Sequence, residues 1–493
     1  MAVSRSILSR EYLPASIAIF TAVAIVAFEG LAVTAALPEL AAELGGVSLL
    51  PWVVTGFLMA SGVSTAVTGS LIDSHGTASV FRVATLAFAL ASLGAAVAPS
   101  MPLLVGARVL QGAAGGAIIS VGVAAVALVY PGHLVGRALA ANANVWGVLG
   151  FAGPAIAAAM LQFGSWRWIF LLMIPLAVVA LAAGWKALPH AVDARPSDID
   201  WVSVGLLVVS VGSVLGATSD LSARSPLLIA VASLSGTLVW RRIGKRSSPL
   251  IDRRFIAARP YGQLAAAAGL TLAAMGGMSA YLPVYVRAAR GGSATAAAWS
   301  VLWMTLGWVV AANIAGRITD RVPAPTVLTA GAALAPIVLA GAGVAVALEA
   351  PLPVVFAAYV GMGASVGTVT NTSLQLVREV VPPNLAGRAT SAHAFARTMG
   401  MSLGAGLTGG VLLATVATRV SDISSIRGAL AGEATELAGS AASALGEGFA
   451  FAHLVALALV GVATAAVVSL RRGTMTGAGD SAWSSPANPS RPG

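Results

Sequence analysis

The chain of 493 residues is 58% hydrophobic and only 9% charged, with a mean hydropathy of +0.89. A soluble domain carries about 25% charged residues, so the composition excludes a large globular protein and points to an integral membrane one. Cysteine is absent, which excludes disulfides, thiolate metal sites and cysteine nucleophiles together, and the formal net charge of +10 reads as membrane orientation rather than nucleic-acid binding.

Runs long enough to cross about 30 Å of hydrocarbon at about 1.5 Å per residue recur along the chain. They lie near 15–37, 51–72, 82–98, 103–130, 138–162, 168–187, 201–219, 226–240, 261–286, 296–316, 326–347, 353–377, 389–417 and 448–470. About fourteen helices are therefore expected; β-barrel strands would be shorter and would alternate. The opening MAVSRSILSREYLP is weakly basic and leads into an apolar run too long for a cleavable signal, so a retained first span is expected.

Charge sets the expected orientation. With the N-terminus inside, cytoplasmic segments hold most of the 28 basic residues, densest in WRRIGKRSSPLIDRRFIAARP, Trp240 to Pro260. The first outer loop, PELAAELGGVSLLP, carries two Glu and no Lys or Arg. An even span count returns the C-terminus to the cytoplasm, where the Gly/Ser/Pro tail 473–493 reads as disordered. Acidic lipid head groups are the other reading of the basic cluster. Lysine occurs only at Lys186 and Lys245, a bias associated with GC-rich bacterial genomes. The expected location is a bacterial inner membrane.

Two stretches look alike. Span 2 ends in GSLIDSHG and span 10 in GRITDRVP, each with Gly four residues before Asp: Gly69 and Asp73, then Gly316 and Asp320. Weak internal symmetry of this kind is left by transporters built from repeated bundles. The expected architecture is all-α: a six-helix bundle in 1–190, a linker with two inserted helices in 191–255, a second six-helix bundle in 256–472, then the tail.

Four motifs in order carry a family resemblance. Glu29 precedes Ala36-Leu37-Pro38 in span 1; GARVLQGAAGGA in span 4 supplies Arg108, Gln111 and Gly112; GVLGFAGPAIAA in span 5 contains Gly153-Pro154; SWRWIFLLMIP leads into span 6. The chain resembles the major facilitator superfamily, in its fourteen-helix drug:proton antiporter branch. It departs from that branch at SHGTASV after Asp73, at Ala157-Ala158, at Met173, and in having Glu rather than Asp in span 1. The resemblance implies a proton-coupled exporter of lipophilic or amphiphilic small molecules, such as drugs, acting as a monomer with no cofactor and working by rocking of the two bundles.

Glu29 is the only charge between Ala15 and Leu37. It lies about nine residues, or roughly 13 Å, below Pro38, and Gln111 lies at nearly the same depth below Pro102. Arg108, Gln111 and Gly112 share one helical face. Spans 1 and 4 are neighbours in the family, so acid, guanidinium and amide are expected in one cluster. Desolvation raises a carboxyl's pKa and a nearby Arg lowers it. An environment that alternates between them lets the acid load a proton on one side and release it on the other. The alternative is a structural Glu29–Arg108 pair that never cycles.

The resemblance also implies a cytoplasmic latch at Asp73 and Asp320, the latter flanked by Arg317 and Arg321, with ordinary solvated loop acids as the alternative. Gly153-Pro154 permits a bend and close packing in span 5. Candidate cavity residues are Asn142, Trp146, Tyr281, Trp308, Asn313, Asn371 and Gln375, with lipid-facing or core packing as the competing reading. His393 and Arg397 share one face of span 13, where His393 can titrate or Arg397 can snorkel to the inner interface. His453 reads as opening span 14 near the outer surface, and 418–447 as a surface amphipathic helix.

Two further classes fit less well. A membrane-embedded enzyme needs clustered ionisable or metal-binding groups, yet the five His are scattered. An ATP-driven pump needs a phosphate-binding loop, and Gly244-Lys245 is followed by Arg. On the same fold, the cargo can instead be an endogenous lipid, siderophore or secondary metabolite.

Overall fold

The computed structural model describes residues 6–45, 49–189, 199–219, 225–243, 255, 259–381, 385–419 and 439–472. Among them there is no strand. The helices are α1 Leu13–Leu44, α2 Leu50–His75, α3 Thr77–Ala96, α4 Met101–Val129, α5 Gly132–Phe163, α6 Arg167–Leu171, α7 Met173–Gly184 and α8 Trp201–Ser219. They continue with α9 Ser225–Ile243, α10 Tyr261–Val284, α11 Ala294–Ile318, α12 Ala324–Ala347, α13 Leu352–Val380, α14 Ala386–Ala417 and α15 Gly439–Arg472. A π-helical turn, Tyr285–Ala289, follows α10.

Among the described residues, eleven helical stretches are long and apolar enough to cross a membrane by length and composition. Leu13–Glu29 and Trp201–Val214 are shorter apolar stretches. The fourteen expected spans fall on these helices, with span 6 divided between α6 and α7 at Leu172. Several helices outrun their apolar runs: α1 reaches Leu44, and α15 starts at Gly439. Hydropathy marks only the hydrocarbon-matched portion, whereas helical hydrogen bonding satisfies the backbone beyond it. His453 therefore stands inside α15 and is buried, not at a helix opening. The centre of the basic cluster, residues 191–198 of the 191–255 linker, 420–438 of the outer segment and the tail lie outside the described residues.

Helices α1–α7 form one bundle. Here α1 packs on α4, α5 and α7; α2 packs on α4; and α3 packs on α4 and α7. Helices α10–α15 repeat the scheme: α10 packs on α13, α14 and α15; α11 on α13; α12 on α13 and α15. The repetition extends to single residues. Gly112 and Gly116 of α4 lie on the backbone of Phe57 and Ser61 in α2, where an added Cβ would come within 2.2 and 2.1 Å of their carbonyl oxygens. Gly363 and Gly367 of α13 lie likewise on Met304 and Trp308 of α11, at 1.9 and 2.3 Å. Helix association in lipid depends on such close approach by small residues.

Each bundle has its own apolar core, around Phe81, Phe88 and Phe170 in the first and Tyr285, Tyr359 and Phe449 in the second. The bundles meet where α2 runs along α14 and α5 along α11, the second helix of each against the fifth of the other. The inserted pair α8 and α9 pack together, and α8 rests on both α2 and α14. Asp200 caps α8 by accepting from the backbone N–H and hydroxyl of Ser203, and it pairs with Arg242 at the end of α9 at 3.0 Å. Hydrogen bonding to Arg242 holds the Asp200 carboxyl well below the usual carboxylate range.

Candidate functional site

Glu29, Arg108 and Gln111 meet in the first bundle, each no more than 1% exposed. One face of α4 presents Arg108 and Gln111, and Gly112 beside them lets α2 approach closely enough for its carbonyls to be used. Arg108 Nε donates to the Val53 carbonyl of α2 at 2.8 Å. Its Nη1 donates to Glu29 Oε1 and, at 2.6 Å, to Gln111 Oε1. The guanidinium lies over the Phe57 ring, 4.4 Å from its centroid. Gln111 Nε2 donates to Ser92 Oγ of α3 at 2.8 Å, and Ser92 in turn donates to the Phe88 carbonyl.

Four helices thus converge on one buried ion pair. Among the described residues, Glu29 Oε2 is enclosed with no hydrogen-bond partner. A charged carboxylate with one oxygen answered and the other unanswered is poorly compensated, and a proton on that oxygen removes the deficit.

A second constellation joins the bundles at the end where α2 finishes and α5 begins. Asp73 of α2 pairs with Arg388 of α14 at 3.7 Å, and Asp320, in the turn after α11, pairs with Arg137 of α5 at 3.9 Å. Gly69 lies against Ser391 and the backbone of Arg388, while Gly136 and Gly316 meet each other. Ser120 and Ser391 hydroxyls are 2.5 Å apart, and Asn313 donates to Asn144. The sequence reading placed Arg317 and Arg321 beside Asp320. Both are exposed, and among the described residues the cation within ion-pair range of Asp320 is Arg137. Arg137 and Arg388 were missed, although Gly-Arg-Ala recurs at Gly136–Ala138 and Gly387–Ala389.

The remaining candidates separate. Asn313 also donates to the Val309 carbonyl, and Asn371 donates to the Ala312 carbonyl at 2.9 Å while its Oδ1 stays unpartnered. Asn142 Oδ1 is likewise enclosed without a partner, and Trp146 is half-buried on the same helix. Trp308 packs against Gly367, and the Tyr281 hydroxyl fills the space beside Gly409. Gln375 turns to Glu379 on its own helix at 3.4 Å, away from these groups. Helix α5 runs unbroken through Gly153, which is buried, while the surroundings of the Pro154 side chain lie outside the described residues. His453 is held between the Tyr359 hydroxyl at 3.1 Å and the Phe449 carbonyl at 2.7 Å.

At the opposite end Glu43 accepts from Trp166 Nε1 at 2.6 Å and from Arg167 at 2.5 Å, tying α1 to α6. The Arg167 and Trp166 bonds hold its carboxyl below the ordinary value.

Residues 17–405 match the family model described as Major Facilitator Superfamily. A probable multidrug-efflux transporter of Mycobacterium tuberculosis is 37% identical over 187 residues, 36% of this chain and 40% of that protein. An uncharacterized transporter of the same organism is 26% identical over 396 residues, covering 77% of this chain and 56% of its own length. The chain spans about half the length of the curated relatives it matches. Among solved structures, a bacterial homologue of the iron transporter ferroportin in an outward-facing state superposes with a TM-score of 0.64 at 11% identity, covering 93% of this chain and 99% of that one.

Proposed function

The chain belongs to the Major Facilitator Superfamily, and on that footing we propose that this multi-pass membrane protein is a proton-coupled secondary exporter of lipophilic or amphiphilic small molecules. Its two bundles, 1–190 and 256–472, open alternately to either side, with 191–255 as an inserted linker. It works as a monomer in a bacterial inner membrane, with both termini cytoplasmic. The relative named as a probable multidrug-efflux transporter supports the cargo class.

The observation that carries the reading is the Oε2 of Glu29, unpartnered among the described residues, beside the ion pair that Oε1 makes with Arg108. A proton from the outer side settles on that oxygen and neutralises the acid. Arg108 then keeps only Gln111 and the Val53 carbonyl as acceptors, and its hold on α1 loosens. Val53 and Asp73 stand on the same helix, so a tilt of α2 reaches the inner ion pairs. Opening of the inner end returns Glu29 to its ionised, Arg108-bound form, with the proton released inward and cargo admitted. Gly136, Gly316 and the two cross-bundle ion pairs restore the closed inner end.

Everted membrane vesicles with an imposed pH gradient test this. Uptake of amphiphilic dyes should follow the gradient in the wild type and lose that dependence in Glu29→Gln. Undiminished gradient-driven uptake in the variant would contradict the proton role. Response to one compound within a broad panel would replace a multidrug cargo with a dedicated one.

A further inference from the structure

Arg397 stands eleven residues into α14, about 16 Å from its inner end. Its side chain makes no hydrogen bond or ion pair with any described residue, and its Nε is enclosed without a partner. Helices α2, α4, α8, α10, α13 and α15 pack on α14. Of these, α4, α8 and α10 contain no acid. The acids on the others sit at helix ends and are engaged: Asp73 with Arg388, Glu447 with Arg419, and Glu379 with Gln375. No carboxylate is therefore available to Arg397 at its depth among the described residues.

The neighbouring turns show where the side chain opens. His393, one turn inward, is fully buried; its Nε2 lies 3.1 Å from Ser373 Oγ of α13 and its Nδ1 has no partner. Met401, one turn outward, is 43% exposed. Residues touching α2 (Ser391, Met399) lie to one side of this line, and residues touching α10 (Ala396, Gly400 and the backbone of Met401) lie to the other. The line therefore faces the space between the bundles, while exposed Leu403 and Leu407 mark the opposite, lipid side. Snorkelling to the inner interface does not describe this arrangement.

A cation held at mid-membrane without a counter-charge is costly and marks a ligand path. A guanidinium is the group best suited to receive a carboxylate through two parallel hydrogen bonds. We propose that Arg397 recognises an acidic group on the cargo, so that the ligand class is an amphiphilic organic anion, with His393 Nδ1 as a second polar contact and Met401 against its apolar body. This deepens the exporter reading and rests on it for the use of the inter-bundle space, but not for proton coupling through Glu29.

The test uses the full chain in nanodiscs with three probes on one scaffold: 1-pyrenebutyrate, its methyl ester and 1-pyrenebutylammonium. Binding is read by fluorescence anisotropy against empty nanodiscs. The wild type should prefer the carboxylate to the other two by about tenfold or more. Arg397→Gln should abolish that preference while leaving ester binding unchanged, and Arg397→Lys, which keeps the charge and guards against a folding artefact, should retain part of it. Equal affinity for acid and ester, no binding of any probe, or a preference that survives in Arg397→Gln overturns the proposal. Glu29→Gln should keep the anion preference while losing gradient-driven uptake, so failure of the coupling and failure of anion recognition give different results.

Discussion

Gly136 of α5 and Gly316 of α11 meet backbone to backbone: a Cβ added to either would come within 2.9 or 2.7 Å of the other's carbonyl oxygen. Nothing larger fits without parting the helices. The chain contains no native cysteine, so a single introduced thiol reports on the opening. Gly136→Val and Gly316→Val should each raise the rate at which a water-soluble maleimide labels Ser391→Cys several-fold from the inner side. An unchanged rate would mean that this contact does not hold the inner end shut.

The two ion pairs across the seam differ in exposure. Asp73 and Arg388 side chains are 27% and 19% exposed, against 48% and 45% for Asp320 and Arg137. Exposed pairs contribute about 0.2–1 kcal/mol and are screened by salt. Double-mutant cycles on the same labelling rate should therefore give the larger and less salt-sensitive coupling for Asp73–Arg388. The swap Asp73→Arg with Arg388→Asp should restore closure that either single change loses. A larger coupling for Asp320–Arg137 would reverse this ranking.

Around Glu29, removing an acceptor and removing the cation should have distinct costs. Gln111→Leu deprives Arg108 of one of three acceptors, at about 1–3 kcal/mol. Arg108→Ala strands a buried carboxylate, at about 3–5 kcal/mol. Thermal unfolding in detergent should rank Arg108→Ala below Gln111→Leu and both below wild type. Arg108→Ala with Glu29→Gln should recover part of the loss, because no charge is then left unanswered.

The inserted pair α8 and α9 should be acid-sensitive through Asp200. Its carboxyl titrates below the ordinary value when folded, chiefly through Arg242. The stabilisation is therefore fully present above the unfolded pKa of about 3.9 and is lost as pH falls through the folded value. Stability measured from pH 7 downward should decline in that acid range for the wild type and decline less for Asp200→Asn, which starts lower. Parallel curves would show that the tie contributes nothing.

Much of the fold was legible because a membrane imposes it: long apolar runs marked the helices. The Glu29–Arg108–Gln111 cluster was legible too, once helical depth and face were joined to the family resemblance, which implies that spans 1 and 4 are neighbours. The cross-bundle partners were not read, because Asp73 and Arg388 are brought together only by the packing of α2 on α14. Local spacing favoured Arg317 and Arg321 for Asp320, yet Asp320 and Arg321 stand in the turn after α11, and the packing of α5 on α11 brings Arg137 into ion-pair range instead. Gly-Arg-Ala at the start of both α5 and α14 held the information, visible only once the two bundles are aligned. His453 was misplaced for another reason: a helix does not stop where its hydrophobicity does.

The most direct measurement follows the Glu29 carboxyl in two locked forms of the protein. Ser120 and Ser391 hydroxyls lie 2.5 Å apart, so Ser120→Cys with Ser391→Cys should form a disulfide that fixes the closed inner end, while Gly136→Val and Gly316→Val together favour its opening. An infrared titration of the protonated carboxyl band, assigned by its loss in Glu29→Gln, should give midpoints about one pH unit or more apart in the two forms. One unchanging protonation state of Glu29 in both forms would contradict proton coupling at this residue.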